Sequence, residues 1–163
     1  LSLWCCCRSG ALPRLLGLRL VLFLARRVVK ITTQLARHKT DRQRQAVLFQ
    51  GGRHAVTRVS VAERFGDQAA LVRCRLETGR THQIRVHLAH IGHGLIGDGT
   101  YGGRRKLSAK VLGQGTAEAV AVFPRQALHA GRLGFVHPVT GDALRFEAPL
   151  PRDMAGLLTA LRG

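Results

Sequence analysis

Acidic residues are scarce in this chain: 9 Asp and Glu stand against 26 Lys and Arg, a formal net charge of +17 over 163 residues. Self-repulsion of that size destabilises a compact chain unless a polyanion shares it, and nucleic acid is the commonest such partner. Aromatics are also few, with one Trp and one Tyr. Cysteine is present without a usable pattern. Cys5, Cys6 and Cys7 are consecutive and Cys74 stands alone, so no spacing lets thiolates converge on zinc. Free thiols in a reducing cytoplasm are the expectation. No His-Glu-x-x-His spacing occurs, and neither glycine-rich piece ends in Gly-Lys-Ser/Thr. Ser108 has no elbow pattern around it. A zinc module, a P-loop and a serine nucleophile are therefore not expected, and neither is any other metal.

A long hydrophobic run is missing too. Residues 15–25 are rich in leucine but carry Arg19, and Arg26, Arg27 and Lys30 follow closely. A membrane-spanning helix needs about 20 apolar residues, and no small-residue cleavage site completes a signal peptide. Three readings remain for the N-terminal region: membrane association, a divergent core segment, or sequence foreign to the reading frame. The last is favoured, so residues 1–29 are set apart as unmatched, foreign in frame or disordered. Residues 30–163 form the domain proper, and no membrane partner is expected.

What is present begins with a 45% hydrophobic content, enough for a packed core. Residues 37–44, RHKTDRQR, read as a basic loop or arm. Residues 54–65 and 69–77 read as strands joined by a Gly66-Asp67 turn. Ile84, Val86, Leu88 and Ile91 lie in a segment of helical length, with Thr81 as its N-cap and Gly92 as its stop. Residues 107–122 look unpatterned, and residues 125–129 read as a short helical turn. A second hairpin is expected around PVTGD at residues 138–142. Asp153 is expected to cap a last helix whose apolar face is Met154, Leu157, Leu158 and Leu161. This order indicates an α+β domain on a mixed, mainly antiparallel sheet with flanking helices.

Chemistry is densest in ETGRTHQIRVHLAHIGH, residues 77–93. His82 and His87 point in different directions on a helix, while His87 and His90 could share a face. Basic side chains at a helix start suit phosphate, and at least half of the histidines are expected to satisfy backbone groups within the fold.

The run LETGRTHQIRVHLAHIGHGLIGDGTYGG at residues 76–103 resembles a signature of the RluA family of RNA pseudouridine synthases. So do ARHKTDRQRQAV at 36–47, FPRQALHA at 123–130 and GFVHPVTGDALRFEAPLP at 134–151. The resemblance implies part of a pseudouridine synthase catalytic domain that isomerises uridine in RNA without a cofactor. Ribosomal RNA is favoured over transfer RNA as the partner, and a monomer over an oligomer. A flipped uridine would be attacked by an aspartate, with a basic residue pairing with that aspartate and a tyrosine packing on the base. Arg85 is the match for the basic residue. Arg80, Thr81, His82 and Gln83 would lie at the substrate, and Arg37, His38, Arg42 and Arg44 would contact the RNA backbone.

The His-Arg-Leu-Asp block that carries the family's aspartate does not occur here, and Tyr101 does not fall where the family's tyrosine should. Arg85 is therefore expected to be a buried cation lacking its partner, and the sheet to expose an edge and an apolar face. The chain alone is expected to be inactive and to fold weakly. A non-catalytic RNA-binding module is the alternative.

Overall fold

The computed structural model describes residues 2–7, 28–102 and 107–163. The leucine-rich run at 15–25 lies outside the described residues, as does Gly103 at the end of the glycine-rich loop. Among these described residues twelve elements follow in order. They are β1 (Ser2–Cys7), β2 (Val29–Arg37), β3 (Gln45–Leu48), β4 (Arg53–Phe65), β5 (Ala69–Leu76), α1 (Gln83–His90), α2 (Ala109–Leu112), α3 (Gln114–Ala121), β6 (Leu128–Ala130), β7 (Arg132–Val136), β8 (Ala143–Glu147) and α4 (Arg152–Arg162). The first six strands form one sheet in the order β3-β2-β4-β5-β1-β6, with every pairing antiparallel. Strands β7 and β8 form a separate hairpin. The fold is thus α+β with flanking helices, as the order of segments indicates.

Alternation writes the sheet. Ile31 and Leu35 of β2 are buried between more exposed neighbours, and in register Ile31 lies opposite Thr57, Thr33 opposite Ala55 and Val29 opposite Val59 of β4. Beyond Val61 the register of β4 against β5 shifts, so that Val61 faces Val72 while Glu63 faces Leu71. One extra residue in a bulge sends the following side chains to the other face. Val59, Val72 and Cys74 therefore pack with Ile84 and Leu88 of α1. Phe65, Ala69 and Leu71 pack instead with Leu157, Leu158 and Leu161 of α4. Both faces of the β4–β5 pair are covered.

Several expectations need correcting. Residues 109–121 are helical: Gly113, at φ 86°, joins α2 to α3, so the glycine is a joint between two short helices. Residues 128–130 form the edge strand β6 in place of a helical turn. The N-cap of α4 is Pro151, while Asp153 sits in the first turn and pairs with Arg125. The N-cap of α1 is His82 and not Thr81, and no side-chain bond caps the helix. Gly92 does end it: the Gly92 and His93 amides donate to the carbonyls of Ala89 and Leu88, a Schellman closure with Gly92 at φ 82°.

Helix α1 buries polar side chains as well as apolar ones. The Gln83 amide nitrogen donates to the Val56 carbonyl and to the Thr57 hydroxyl, each at 3.0 Å. Thr57 Oγ1 lies 2.8 Å from Nδ1 of His87, whose Nε2 lies 2.8 Å from Thr33 Oγ1. A single direction runs through this chain when Thr57 donates to Nδ1 and Nε2–H donates to Thr33. His87 must then be neutral, and burial does push its pKa down to about 4, with the charge of His90 adding to the shift.

This makes stability depend on pH. An imidazole in the unfolded chain titrates near ~6.5, so the unfolded state takes up the proton first as pH falls. The contribution of His87 is complete above about pH 6.5 and declines from there towards its folded value of about 4. The loss amounts to roughly 3 kcal/mol at most. Denaturant midpoints should fall between pH 7 and pH 4.5, and more shallowly in His87→Asn. A flat midpoint over that window would show that His87 is not held neutral.

Candidate functional site

The loop after α1 turns back on the helix because two glycines let it. A Cβ on Gly97 would lie 1.9 Å from the Arg125 carbonyl, and one on Gly94 would lie 2.4 Å from Cα of Gly102. The closed loop brings Asp98 beneath Arg85. Nε of Arg85 donates to Oδ2 at 2.7 Å and Nη2 donates to Oδ1 at 2.8 Å, a two-pronged pair. Oδ1 also accepts from the amides of Thr100 and Tyr101. The Asp98 side chain is 1% exposed and that of Arg85 13%. Burial raises the Asp98 pKa, but the Arg85 bonds and the two amides outweigh it and hold the carboxyl below its usual range. The same bonds raise the pKa of Arg85 against the opposing effect of burial.

Arg85 is thus not a cation without a partner. In a chain this poor in acids the partner could have been found: Asp98 is the acid of a Gly-Asp-Gly turn that follows the helix. Desolvating a guanidinium costs several kcal/mol unless a carboxylate faces it.

Tyr101 assembles the rest of the site. Its hydroxyl accepts from the Gln45 amide at 2.7 Å and lies 2.9 Å from Nδ1 of His82. The guanidinium of Arg85 stands 4.8 Å from its ring centroid and that of Arg44 5.6 Å. His82 meets the ring edge-on and is held at φ 53°, the only left-handed non-glycine among the described residues. Such a conformation costs about 1–2 kcal/mol and persists where neighbours enforce it. Burial first, and the charge of Arg85 second, lower the pKa of His82. The neutral ring can accept the phenolic proton.

The other expected contacts divide. Arg80 and Thr81 are exposed beside His82, and Arg37 and Arg42 are exposed on the β2–β3 hairpin. The ring of His38 accepts from the amides of Thr40 and Asp41 and so shapes that loop. Arg44 is half-buried, and its Nε has no partner among the described residues. Gln83 is a correction. It is buried, its carbonyl accepts from Thr78 and from the Arg80 amide, and its nitrogen is used as above. No donor or acceptor is left for RNA, so Gln83 is a strut of the fold. No group of three or more His, Cys, Asp or Glu that could hold a metal occurs among the described residues. No helix there is long and apolar enough to cross a membrane.

Removing one partner of a buried pair strands the other. Asp98→Ala should therefore lose about 3 kcal/mol in urea denaturation, and Asp98→Leu combined with Arg85→Met should recover most of it. A loss below about 1 kcal/mol would mean that water reaches the guanidinium.

Comparison with known proteins sets this geometry in a family. A family model described as RNA pseudouridylate synthase matches residues 24–90. Ribosomal large subunit pseudouridine synthase D of Vibrio cholerae is 49% identical over 132 residues, 81% of this chain and 40% of that protein. The uncharacterized RNA pseudouridine synthase YlyB of Bacillus subtilis is 49% identical over 132 residues, 81% of this chain and 38% of that one. The chain therefore spans about 40% of the length of these curated relatives. The structure of human RNA pseudouridylate synthase domain containing 4 matches with a TM-score of 0.66 at 20% identity, over 99% of this chain and 61% of that one, and shares the fold. Its sequence blocks and its fold agree: the chain belongs to the RluA family of RNA pseudouridine synthases.

Proposed function

We propose that residues 30–163 are the C-terminal part of the catalytic domain of an enzyme that isomerises uridine to pseudouridine in ribosomal RNA. The observation that carries this reading is the Arg85 fork, fixed by Asp98 at the foot of a basic hairpin. The reaction exchanges the C1′–N1 bond for a C1′–C5 bond with no change of oxidation state, so it needs no cofactor. Arg85 would face the nucleophilic aspartate with donors not used by Asp98, since a guanidinium has five. That contact would keep the nucleophile ionised and fix its direction. Arg80, Thr81 and His82 would border the flipped uridine, and Arg37, His38, Arg42 and Arg44 would hold the RNA backbone.

The family's His-Arg-Leu-Asp block does not occur in this sequence, and Asp98, committed to Arg85 and to two amides, is not free to attack. This favours a second reading for the chain by itself, RNA binding without turnover. Two measurements separate the readings. Binding to a uridine-containing ribosomal RNA hairpin should weaken linearly in log–log form with salt, and Arg42→Gln should reduce that slope by about one. Incubation with the same RNA should yield no pseudouridine, and product formed by the purified chain would overturn the assignment of inactivity.

A further inference from the structure

Helix α4 covers the sheet face opposite α1 only at the Leu71 end. There it packs on Phe65, Ala69 and Leu71 and is tied down by the pair of Arg162 with Glu63. The strands run on past it. On β5, Arg73 and Arg75 alternate with Cys74, so they share the face of Leu71, and both are exposed. Lys30 of β2 and Arg58 of β4 point the same way, because Val29, Ile31, Thr57 and Val59 beside them point towards α1.

Register sets these cations side by side. Lys30 lies opposite Arg58, and Arg58 lies opposite Arg75, so the three form one row across β2, β4 and β5. Like charges directly opposite on one face destabilise a sheet. One acid meets the row: Glu77 binds Arg58, the middle cation. The Arg58 bond first, and then the charges of Arg58, Lys30 and Arg75, hold the Glu77 carboxyl below its usual range. Lys30, Arg73 and Arg75 form no ion pair with any described carboxylate. The row is filled at its centre and open at both ends.

We infer that this row is the docking site of an acidic helix from a partner protein, laid across the strands beside α4. Neighbouring strands are about 4.8 Å apart, so the end positions Lys30 and Arg75 are separated by about 10 Å. Seven residues of helix rise about 10.5 Å. Carboxylates at i and i+7 on one helix face therefore meet both end cations while Glu77 stays on Arg58. A phosphodiester strand carries a charge at every nucleotide and would set a phosphate against Glu77. Arg75 lies four residues along β5 from Leu71, about 13 Å, which leaves room for a second helix at the usual spacing of about 8–10 Å from α4. That face already accepts one helix through an arginine–glutamate pair, at α4. A seated helix excludes water from the row and strengthens each pair. The row lies across the sheet from α1, so the inference does not depend on the RNA reading.

The probe is a fluorescein-labelled helical peptide of alanine and glutamine with a glutamate at every seventh position. It should bind the chain, and more weakly as salt rises. Arg75→Glu should weaken binding about tenfold or more, and Lys30→Gln should weaken it to a smaller extent, with each variant's thermal transition retained. Arg145→Gln on β8, an exposed position in the separate hairpin, should bind as the unaltered chain does. A peptide with the same number of glutamates at every fifth position, which spiral around the helix, should bind less well. Failure of the first peptide to bind overturns the assignment, and so does equal binding by Arg75→Glu and Lys30→Gln. Equal binding of the two peptides would show that the row attracts charge without reading a helix, and would overturn it too. If a uridine-containing ribosomal RNA hairpin displaces the peptide and itself loses affinity in Arg75→Glu, the row is an RNA surface and the protein partner is ruled out.

Discussion

Helix α1 is held to the sheet by a chain of polar groups, and the positions of the surrounding residues follow from it. Gln83, Thr57, His87 and Thr33 link the helix to β4 and β2 through bonds of 2.8 to 3.0 Å. Apolar packing alone would let a short helix slide or rotate, because dispersion is non-directional. Hydrogen bonds at two successive turns leave one rotation. At that rotation Ile84 and Leu88 enter the core while Arg85 emerges at its edge, directly above Asp98. A buried network of this kind is costly when partly satisfied, so removing one member is felt by the rest.

The same logic explains what could be read from the sequence. Strands β4 and β5, the β7–β8 hairpin and the apolar face of α4 follow local rules of alternation, turn chemistry and helical period, and they appear where those rules put them. So does the stop at Gly92, since its left-handed conformation is a glycine property. The start of α1 was not legible. Thr81 has the right chemistry for an N-cap, but the conformation of His82 is set by Tyr101, nineteen positions downstream. Gln83 was misplaced for a related reason: a glutamine beside an arginine and a histidine looks like a binding group until its partners on β4 are seen. The partner of Arg85 was missed because pairing was sought only upstream, although burial in an acid-poor chain requires a partner somewhere.

Charge is distributed with the same economy. Five arginines among the described residues pair with carboxylates, and three of those pairs tie elements together at the surface: Arg58 with Glu77, Arg125 with Asp153 and Arg162 with Glu63. Exposed pairs of this kind contribute little each. What they do is occupy Glu77, Asp153 and Glu63, which leaves Asp41 as the one acid of the β2–β3 hairpin. Arg37, Arg42, Arg53 and Arg80 are left with no described carboxylate partner, which gives a one-sided potential where a polyanion would be met.

Tyr101 connects that potential to Arg85. Its hydroxyl holds the first amide of β3 on one side and His82, the residue before α1, on the other. Its ring lies against the guanidiniums of both Arg44 and Arg85. A displacement of the hairpin therefore changes the hydrogen bond that keeps His82 left-handed, and His82 begins the turn whose next residues anchor the polar chain. Asp98 completes the circuit, because its Oδ1 binds the Tyr101 amide as well as Arg85. The hairpin, the strained helix start and the arginine fork thus share one phenol and one carboxylate. A phosphate drawn to the hairpin would act on Arg85 through covalent neighbours and short hydrogen bonds, without a long-range field that salt could screen.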